Sequence, residues 1–150
     1  LSRHTATLSF GKTTITDFVS GFESVRGSHG GTTFIGDRGD TQFLGGDNAD
    51  YIRGMGGNDT LRGGEGRDVF AYFKKDTAGG AVDVIRDFEV GADRLDMKDF
   101  LKGRAGPAEA VRFLDDGGDA VVQGLTKTGW VDVVVLQGVA AQDLGYEILT

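Results

Sequence analysis

The stretch GSHGGTTFI GDRGDTQFL GGDNADYIR GMGGNDTLR GGEGRDVFA, from Gly27 to Ala71, consists of five units of nine residues. Every unit begins with Gly and has a large apolar residue in its eighth place. These eighth-place residues are Phe34, Phe43, Ile52, Leu61 and Phe70. The sixth places hold Thr32, Thr41, Asp50, Asp59 and Asp68. A fixed period sustained over consecutive units is typical of a repeat architecture, so this stretch decides the fold.

The period of nine predicts a coil of short strands. Six residues rich in Gly and Asp form a turn, and the three residues around the apolar eighth place form a strand with that side chain pointing inward. Successive units turn back on each other, so one coil takes two units and two thin parallel sheets enclose the core. The sequence therefore predicts an all-β, right-handed parallel β-roll.

Units one coil apart stack directly, which places their sixth-place carboxylates about 4.8 Å apart. Two unpaired carboxylates at this distance repel each other by about 3 kcal/mol at an effective dielectric constant near 20. A cation between the turns removes this repulsion, and backbone carbonyls complete its shell of about 6–8 oxygens. We therefore expect the array not to fold without its ion.

Composition agrees with this interpretation and excludes several other classes. Gly supplies 26 of the 150 residues, Cys is absent, and the formal net charge is −7, which argues against a nucleic-acid partner. Asp accounts for 18 of the 23 acidic residues, and Asp beside Gly is typical of turns and hard-cation sites. No apolar run is long enough to span a membrane, so no stable membrane insertion is expected.

The units resemble the RTX nonapeptide GGxGxDxUx, a calcium-binding β-helix repeat. Gly63–Ala71 matches this pattern throughout, and Gly45–Arg53 and Gly54–Arg62 each lack one glycine. The segment that continues from GGEGRDVFA to DRLDMKDF is similar to the end of the β-roll in serralysin-type secreted metalloproteases. The resemblance implies a calcium-loaded module, with two or more Ca²⁺ ions, from a protein exported by type I secretion.

Candidate ligands follow from the repeat and from this resemblance. Alternate units lie on the same side, so Asp50 faces Asp68 in the first predicted site. By resemblance to a pair of acidic residues in the proteases, Asp59, Asp76 and Asp83 close a second site, and a third would use Asp37 or Asp40. The resemblance also implies backbone ligands from the turns, namely Gly45, Asp47, Gly54, Gly56, Gly64 and Gly66. For any single Asp the alternative role is capping of its own turn.

Three segments are predicted along the chain: an N-terminal β cap over residues 1–26, the roll over 27–80 and a C-terminal β cap over 81–150. Residues 5–19 read as a hairpin that covers the first coil. In the C-terminal cap we expect strands at 81–88 and 93–97, a hairpin around Asp115–Asp119, a buried strand at 130–139 and a last strand at Tyr146–Leu149.

No catalytic or organic cofactor site is predicted. The chain has two His residues and no HExxH, nucleophile elbow or Walker loop. We therefore expect a monomeric, non-catalytic module. The resemblance to type I secreted RTX proteins further implies that it is extracellular, carries a C-terminal secretion signal around Glu147–Leu149 and serves an upstream protease, lipase, polysaccharide-degrading enzyme or toxin. Its partners would be the type I machinery: an ABC transporter, an adaptor and an outer-membrane channel.

Two alternatives stand beside this function. One is a module that binds an anionic, alginate-like polysaccharide through a basic stripe on the outward faces, for which the array offers Arg38, Arg53, Arg62 and Arg67. The other is an ice-binding or adhesive roll with a regular outward face. The seventh places argue against this second alternative because they are irregular: Thr33, Gln42, Tyr51, Thr60 and Val69.

Overall fold

The strands of the repeat alternate between two parallel sheets in a computed structural model that describes residues 5–7, 16–18, 24–27 and 30–150. The ten strands of the coiled part are β1 Thr5–Thr7, β2 Thr16–Phe18, β3 Ser24–Arg26, β4 Thr33–Ile35, β5 Gln42–Gly46, β6 Tyr51–Arg53, β7 Thr60–Gly64, β8 Val69–Ala71, β9 Asp83–Ile85 and β10 Arg94–Asp96. Odd-numbered strands pair in one sheet and even-numbered strands in the other. Phe43 pairs with Leu61 and Phe34 with Ile52, so a coil takes eighteen residues, as the sequence predicts.

The eighth-place residues form the core between the sheets. Phe34, Phe43, Ile52, Leu61 and Phe70 are each at most 2% exposed. Phe34 and Phe43 stack with their ring centroids 4.3 Å apart, which joins the two sheets across the roll. The parallel β-roll is thus held by one inward residue per strand, since the residues on either side of it point outward.

An antiparallel hairpin and one further strand close the C-terminal side of the roll. The elements are helix α1 Lys98–Leu101, strands β11 Val111–Asp116, β12 Asp119–Thr126 and β13 Gly129–Leu136, and 3-10 helices at Pro107–Glu109, Ala141–Asp143 and Tyr146–Ile148. Strand β13 pairs in parallel with β9, so the odd sheet continues into the cap. Among the described residues this sheet has eight strands and the even sheet has five.

Several predicted elements of the C-terminal part are confirmed. Strands lie within 81–88 and 93–97, and β13 covers most of 130–139. The hairpin around Asp115–Asp119 turns through Gly117 and Gly118, whose φ angles are 65° and 104°. Positive φ at both central residues matches the twist of the strands in a two-residue hairpin, which explains the two glycines. The Asp residues at this turn are therefore hairpin residues, as predicted.

Two predicted elements are wrong. The hairpin at 5–19 is not formed, because β1 pairs in parallel with β3 and β2 with β4, so the two strands lie in different sheets. Alternation in this stretch reflects two further strands of the coil, while its Gly11–Lys12 turn lies outside the described residues. The predicted last strand at Tyr146–Leu149 is instead a 3-10 helix at Tyr146–Ile148, followed by Leu149 in a single β-bridge to Leu95.

Parallel pairing also continues beyond residue 80, where the sequence places the end of the roll. Strands β9 and β10 add to the two sheets at Leu61–Ile85 and Phe70–Leu95. The described residues contain no helix long and apolar enough to cross a membrane.

Candidate metal centre

Two rows of carboxylates run along the stack, one at each line of turns. In the first, here called the Asp50 row, the backbone N–H of Thr32 donates to Asp50 Oδ1 at 2.6 Å. The N–H of Asp50 donates to Asp68 Oδ1 at 2.8 Å, and that of Asp68 to Asp93 Oδ1 at 3.0 Å. Each sixth-place residue is therefore bonded to the carboxylate one coil further on, and Asp50 lies against Asp68 as the spacing predicts.

The second row, here called the Asp59 row, lies at the opposite line of turns. The N–H of Thr41 donates to Asp59 Oδ1 at 2.8 Å, and the N–H of Asp59 donates to Asp83 Oδ1 at 3.0 Å. Asp59 and Asp83 thus lie side by side, as expected, although the segment 72–80 that separates them in sequence departs from the repeat. Whether the two rows hold metal stays a prediction.

The second carboxylate oxygens have an unusual environment. Asp59 Oδ2 and Asp68 Oδ2 are buried and accept no hydrogen bond, whereas Asp50 Oδ2 accepts from the N–H of Gly46 at 3.1 Å. Buried carboxylate oxygens normally accept a hydrogen bond, because removing an oxygen from water without giving it a partner costs free energy. Two such oxygens in repeat-equivalent places indicate a partner of another kind, and a cation is the natural one for an oxyanion.

The first-place glycines make room for these carboxylates. A Cβ at Gly54 would overlap Asp59 Oδ2, and one at Gly63 would overlap Asp68 Oδ2. At Gly45 it would meet both Asp50 Oδ2 and the carbonyl oxygen of Gly63 one coil away. An Asp carboxylate therefore occupies the space beside Gly45, Gly54 and Gly63, which explains why the first place of these three units excludes a side chain.

The electrostatics of the rows disfavour bare negative charge. Burial, with the charges of neighbouring Asp residues added, raises the pKa of Asp59 to about 6, that of Asp68 to about 7 and that of Asp83 to about 8. Burial also raises the pKa of Asp50 and Asp93 above the usual value for Asp. In the absence of a cation Asp68 and Asp83 are therefore partly protonated near neutral pH, whereas a bound cation would favour the ionised form of every carboxyl in the rows.

The donor set fits calcium. The acidic side chains of the rows are all Asp carboxylates, and oxygen ligands of this kind select a hard cation that takes about 6–8 of them. Within residues 24–27 and 30–150 no three acidic side chains converge on one point, because the carboxylates are spread along the stack. A cation here would therefore take part of its shell from the turn carbonyls, for which the sequence predicts Gly45, Asp47, Gly54, Gly56, Gly64 and Gly66.

Asp76 is bound by an arginine. Its two oxygens accept from Arg53 Nε at 2.9 Å and Nη2 at 2.8 Å, and the guanidinium lies 4.1 Å from the centroid of the Phe73 ring. Its charge still contributes to the raised pKa of Asp83, after burial and Asp59. The Tyr72 hydroxyl beside Asp83 is buried and has no hydrogen-bond partner. Asp76 thus lies near Asp83 with its carboxylate paired to Arg53, and its role as a ligand of the second site stays a prediction.

Asp37 and Asp40 are turn residues on the exposed side of the Asp59 row. Asp37 Oδ1 accepts from the N–H of Gly39 at 2.7 Å within its own turn, and Asp40 Oδ1 accepts from that of Asn58 at 2.7 Å. Their charges add to the raised pKa of Asp59 after burial. The Asp37 bond is that of turn capping, whereas Asp40 bonds one coil further on, and a third cation site at these residues stays a prediction.

Asp87 and Asp93 belong to the same arrangement but are absent from the predicted set. Asp87 accepts from the N–H of Gly63 at 3.0 Å and of Gly64 at 3.2 Å, and Asp93 ends the Asp50 row. A signal was available, because GADRLD at 91–96 has Gly, Asp and Leu in the fourth, sixth and eighth places of the repeat. The longer interval between Asp68 and Asp83 breaks the period and hides this continuation.

Outward-facing arginines lie on opposite sheets. Arg53 is in β6 of the even sheet and Arg62 in β7 of the odd sheet, so the basic stripe expected from Arg38, Arg53, Arg62 and Arg67 is not a single surface. Side chains alternate between faces, and successive units alternate between sheets. Instead, the odd sheet has a groove of about 250 Å³ lined chiefly by Ser24, Gln42, Leu44, Thr60, Arg62 and Arg86.

The stacked coils, the carboxylate rows and the first-place glycines together define the class of a calcium-binding RTX β-roll module. The chain belongs to the family described as Peptidase M10 serralysin C terminal, which matches residues 34–128. The resemblance to serralysin-type proteins seen in the sequence is thereby confirmed. Domains of this family are accessory regions of secreted proteins.

Two solved structures of RTX subunits are similar to the chain. The AlgE6R2 subunit of the Azotobacter vinelandii mannuronan C5-epimerase is 25% identical over 99% of this chain and 91% of its own, with a TM-score of 0.52. The AlgE6R3 subunit of the same epimerase is 25% identical over 89% of this chain and 82% of its own, with a TM-score of 0.36. The first of these supports the β-roll architecture. No curated protein matches the chain.

Proposed function

We propose that this chain is a non-catalytic RTX module that folds on extracellular calcium and carries a type I secretion signal for an attached cargo. Its export partners would be the ABC transporter, the adaptor and the outer-membrane channel of that pathway. The cargo would be a secreted protease, lipase, polysaccharide-degrading enzyme or toxin. Membership of the serralysin C-terminal family supports the proposal.

The observation that carries it is the pair of buried, unpartnered oxygens Asp59 Oδ2 and Asp68 Oδ2. Ionising these carboxyls in the folded chain is unfavourable unless a cation is bound, so binding free energy becomes folding free energy. In the calcium-poor cytosol the chain would stay unfolded and fit for export. Outside the cell, calcium would pull the equilibrium to the β-roll.

A calcium titration followed by far-UV circular dichroism tests this proposal, with magnesium as the control ion. We expect a cooperative coil-to-β transition in calcium alone, since magnesium demands a smaller octahedral shell and gives up its waters reluctantly. A spectrum that is already fully β in chelator at pH 8 would contradict it, because the caps would then stabilise the roll by themselves.

The export function needs a separate test with an attached passenger in cells that carry a type I system. Deleting residues 147–150 would also remove Ile148, which is fully buried, so a surface change is cleaner. We expect Glu147→Ala, at an exposed acidic position of the proposed signal, to lower export and leave calcium-induced folding intact. Asp143→Ala, at an exposed acidic position four residues earlier, is the matched control. Equal export of both variants and the parent would refute the signal assignment.

A second candidate function is binding of an anionic polysaccharide in the groove of the odd sheet. Arg62 in β7 and Arg86, which directly follows β9, line this groove, and within the described residues neither guanidinium has an acidic partner. The hydroxyls of Ser24 and Thr60 and the amide of Gln42 offer hydrogen bonds to sugar hydroxyls alongside. The similar AlgE6R2 subunit is part of an epimerase named for mannuronan, an acidic polysaccharide.

Strand spacing supports this candidate further. Arg62 and Arg86 directly follow the paired residues Leu61 and Ile85, so their backbones are separated by one strand spacing, about 4.8 Å, close to the length of one sugar residue in an extended chain. Titration calorimetry of the calcium-loaded chain with alginate tests it. Arg86→Ala should weaken binding and Arg104→Ala, in the loop after α1, should not. No measurable heat with the parent chain would remove this candidate.

A further inference from the structure

The C-terminal tail, residues 146–150, is packed into the junction between the roll and the cap. Ile148 is fully buried, and Leu149 packs against the same core cluster. Leu149 forms a parallel bridge with Leu95, and the N–H of Thr150 donates to the carbonyl of Leu95 at 3.0 Å. The tail therefore covers the outer edge of β10, the last strand of the even sheet.

The tail also contacts the antiparallel cap. The Tyr146 hydroxyl donates to the carbonyl oxygen of Val111 at 3.4 Å, and the Tyr146 and Phe113 rings lie 5.5 Å apart at their centroids. Its two docking partners, β10 and β11, lie at the edges of different sheets, so the tail bridges the roll and the cap. The buried position of Ile148 thus exists only when both the last coil and the cap have formed.

The last coil is in turn tied to the carboxylate rows. Asp93 lies directly before β10 and ends the Asp50 row through the N–H of Asp68, while the N–H of Arg94 donates to the carbonyl of Asp68 at 2.9 Å. The buried Asp68 Oδ2, which has no hydrogen-bond partner, lies in the coil directly before this one. Ordering of the row therefore orders the strand to which Leu149 is bound.

We infer that folding around calcium seals residues 146–150 into the core, so that this segment is accessible to a binding partner only in the calcium-free chain. The inference rests on the proposed calcium-linked folding and adds the regulation of the proposed signal. A chain that has folded outside the cell would no longer present the segment to the export machinery. Export and folding would then exclude each other through one buried residue, Ile148.

Carboxypeptidase digestion of the 150-residue chain, followed by mass spectrometry, tests the inference. In chelator we expect the enzyme to remove residues through Ile148 and beyond. In calcium we expect digestion to stop before Ile148, with release of that residue at least about 100-fold slower, because it requires opening of the junction. Circular dichroism of the same samples reports whether calcium has folded the roll.

Two variants sharpen the test. Ile148→Asp introduces a charge at the buried site and should restore rapid trimming in calcium, while Glu147→Gln, at the exposed neighbour, should stay protected. If Ile148→Asp does not fold, the parent chain with and without calcium still decides the question.

The outcomes separate the two proposals. Equal trimming of the tail with and without calcium, in samples whose spectra show calcium-induced folding, overturns this inference and leaves the proposed function standing. Equal protection of the tail in both conditions also overturns it. A spectrum that does not respond to calcium instead contradicts the proposed function itself.

Discussion

Replacing Asp59 by Asn should change the stability of this chain in opposite directions with and without calcium. Asp59 is 1% exposed, its Oδ1 accepts from the N–H of Thr41, and its Oδ2 has no partner. Asn keeps the shape and the Oδ1 acceptor but removes the charge. The substitution therefore isolates the charge from the hydrogen bond.

The size of the effect in chelator follows from the pKa of Asp59. Burial raises that pKa from 3.8 to about 6, so ionising the carboxyl at pH 8 costs the folded chain about 3 kcal/mol. Asp59→Asn should remove this penalty and raise the free energy of unfolding in chelator by up to that amount. In calcium it removes a ligand, and the calcium concentration at the folding midpoint should rise at least about tenfold.

Urea unfolding in chelator and a calcium titration, both followed by circular dichroism at pH 8, measure the two effects. Asp115→Asn, at the exposed hairpin turn, is the matched control and should change neither. If Asp59 serves only to cap its turn, Asp59→Asn should leave the calcium midpoint where it is. That result, or a loss of stability in chelator, would refute the assignment of the Asp59 row to a cation.

Three further predictions follow from individual contacts. In chelator, the free energy of unfolding should fall as pH rises from about 4 to about 8, because Asp59, Asp68 and Asp83 bind protons more tightly in the folded than in the unfolded chain. In calcium the free energy of unfolding should instead rise with pH, since protons compete with the ion for the carboxylates. Urea midpoints at pH 5 and pH 8 measure both trends, and a midpoint that changes with pH in the same direction in chelator and in calcium would contradict the prediction. Met55 has a φ of 78° in the place where Gly64 has 93°, so Met55→Gly should stabilise the calcium-loaded chain by about 0.5–1 kcal/mol, while Gly64→Ala should destabilise it. Arg53→Ala leaves the buried Asp76 carboxylate unpaired and should lower the free energy of unfolding by about 3 kcal/mol. A double-mutant cycle with Asp76→Ala is the control: if the double variant recovers stability, the loss comes from the unpaired charge, and if it does not, the loss comes from packing.

The period of nine by itself determined the coil, the two sheets and the inward line of Phe34, Phe43, Ile52, Leu61 and Phe70. It also paired Asp50 with Asp68, because a constant repeat length brings equivalent places into register. These features depend on local geometry repeated along the chain. A single sequence contains that information in full.

Structure was harder to predict from the sequence where the nine-residue period is interrupted. Because the segment 72–80 breaks the period, Asp93 is missing from the predicted carboxylates, even though GADRLD at 91–96 keeps the pattern of the repeat. Near the N-terminus, the alternation over residues 5–19 predicts a hairpin, and this prediction is wrong because a strand pattern does not say which strand lies beside it. The pairing depends on which strand edges the rest of the fold leaves open. Here β1 pairs in parallel with β3 and β2 with β4, in two different sheets.

Only the tertiary structure decided which charges meet. Arg53 and Asp76 are separated by 23 residues and lie on no common period, yet they form a buried ion pair. Ile148 is buried because the roll and the cap together enclose it, and nothing in the local sequence Tyr146–Leu149 indicates this. The physical reason is the same in each case: periodic contacts are fixed by the chain's own geometry, whereas contacts between unlike segments depend on the space that the folded remainder leaves open.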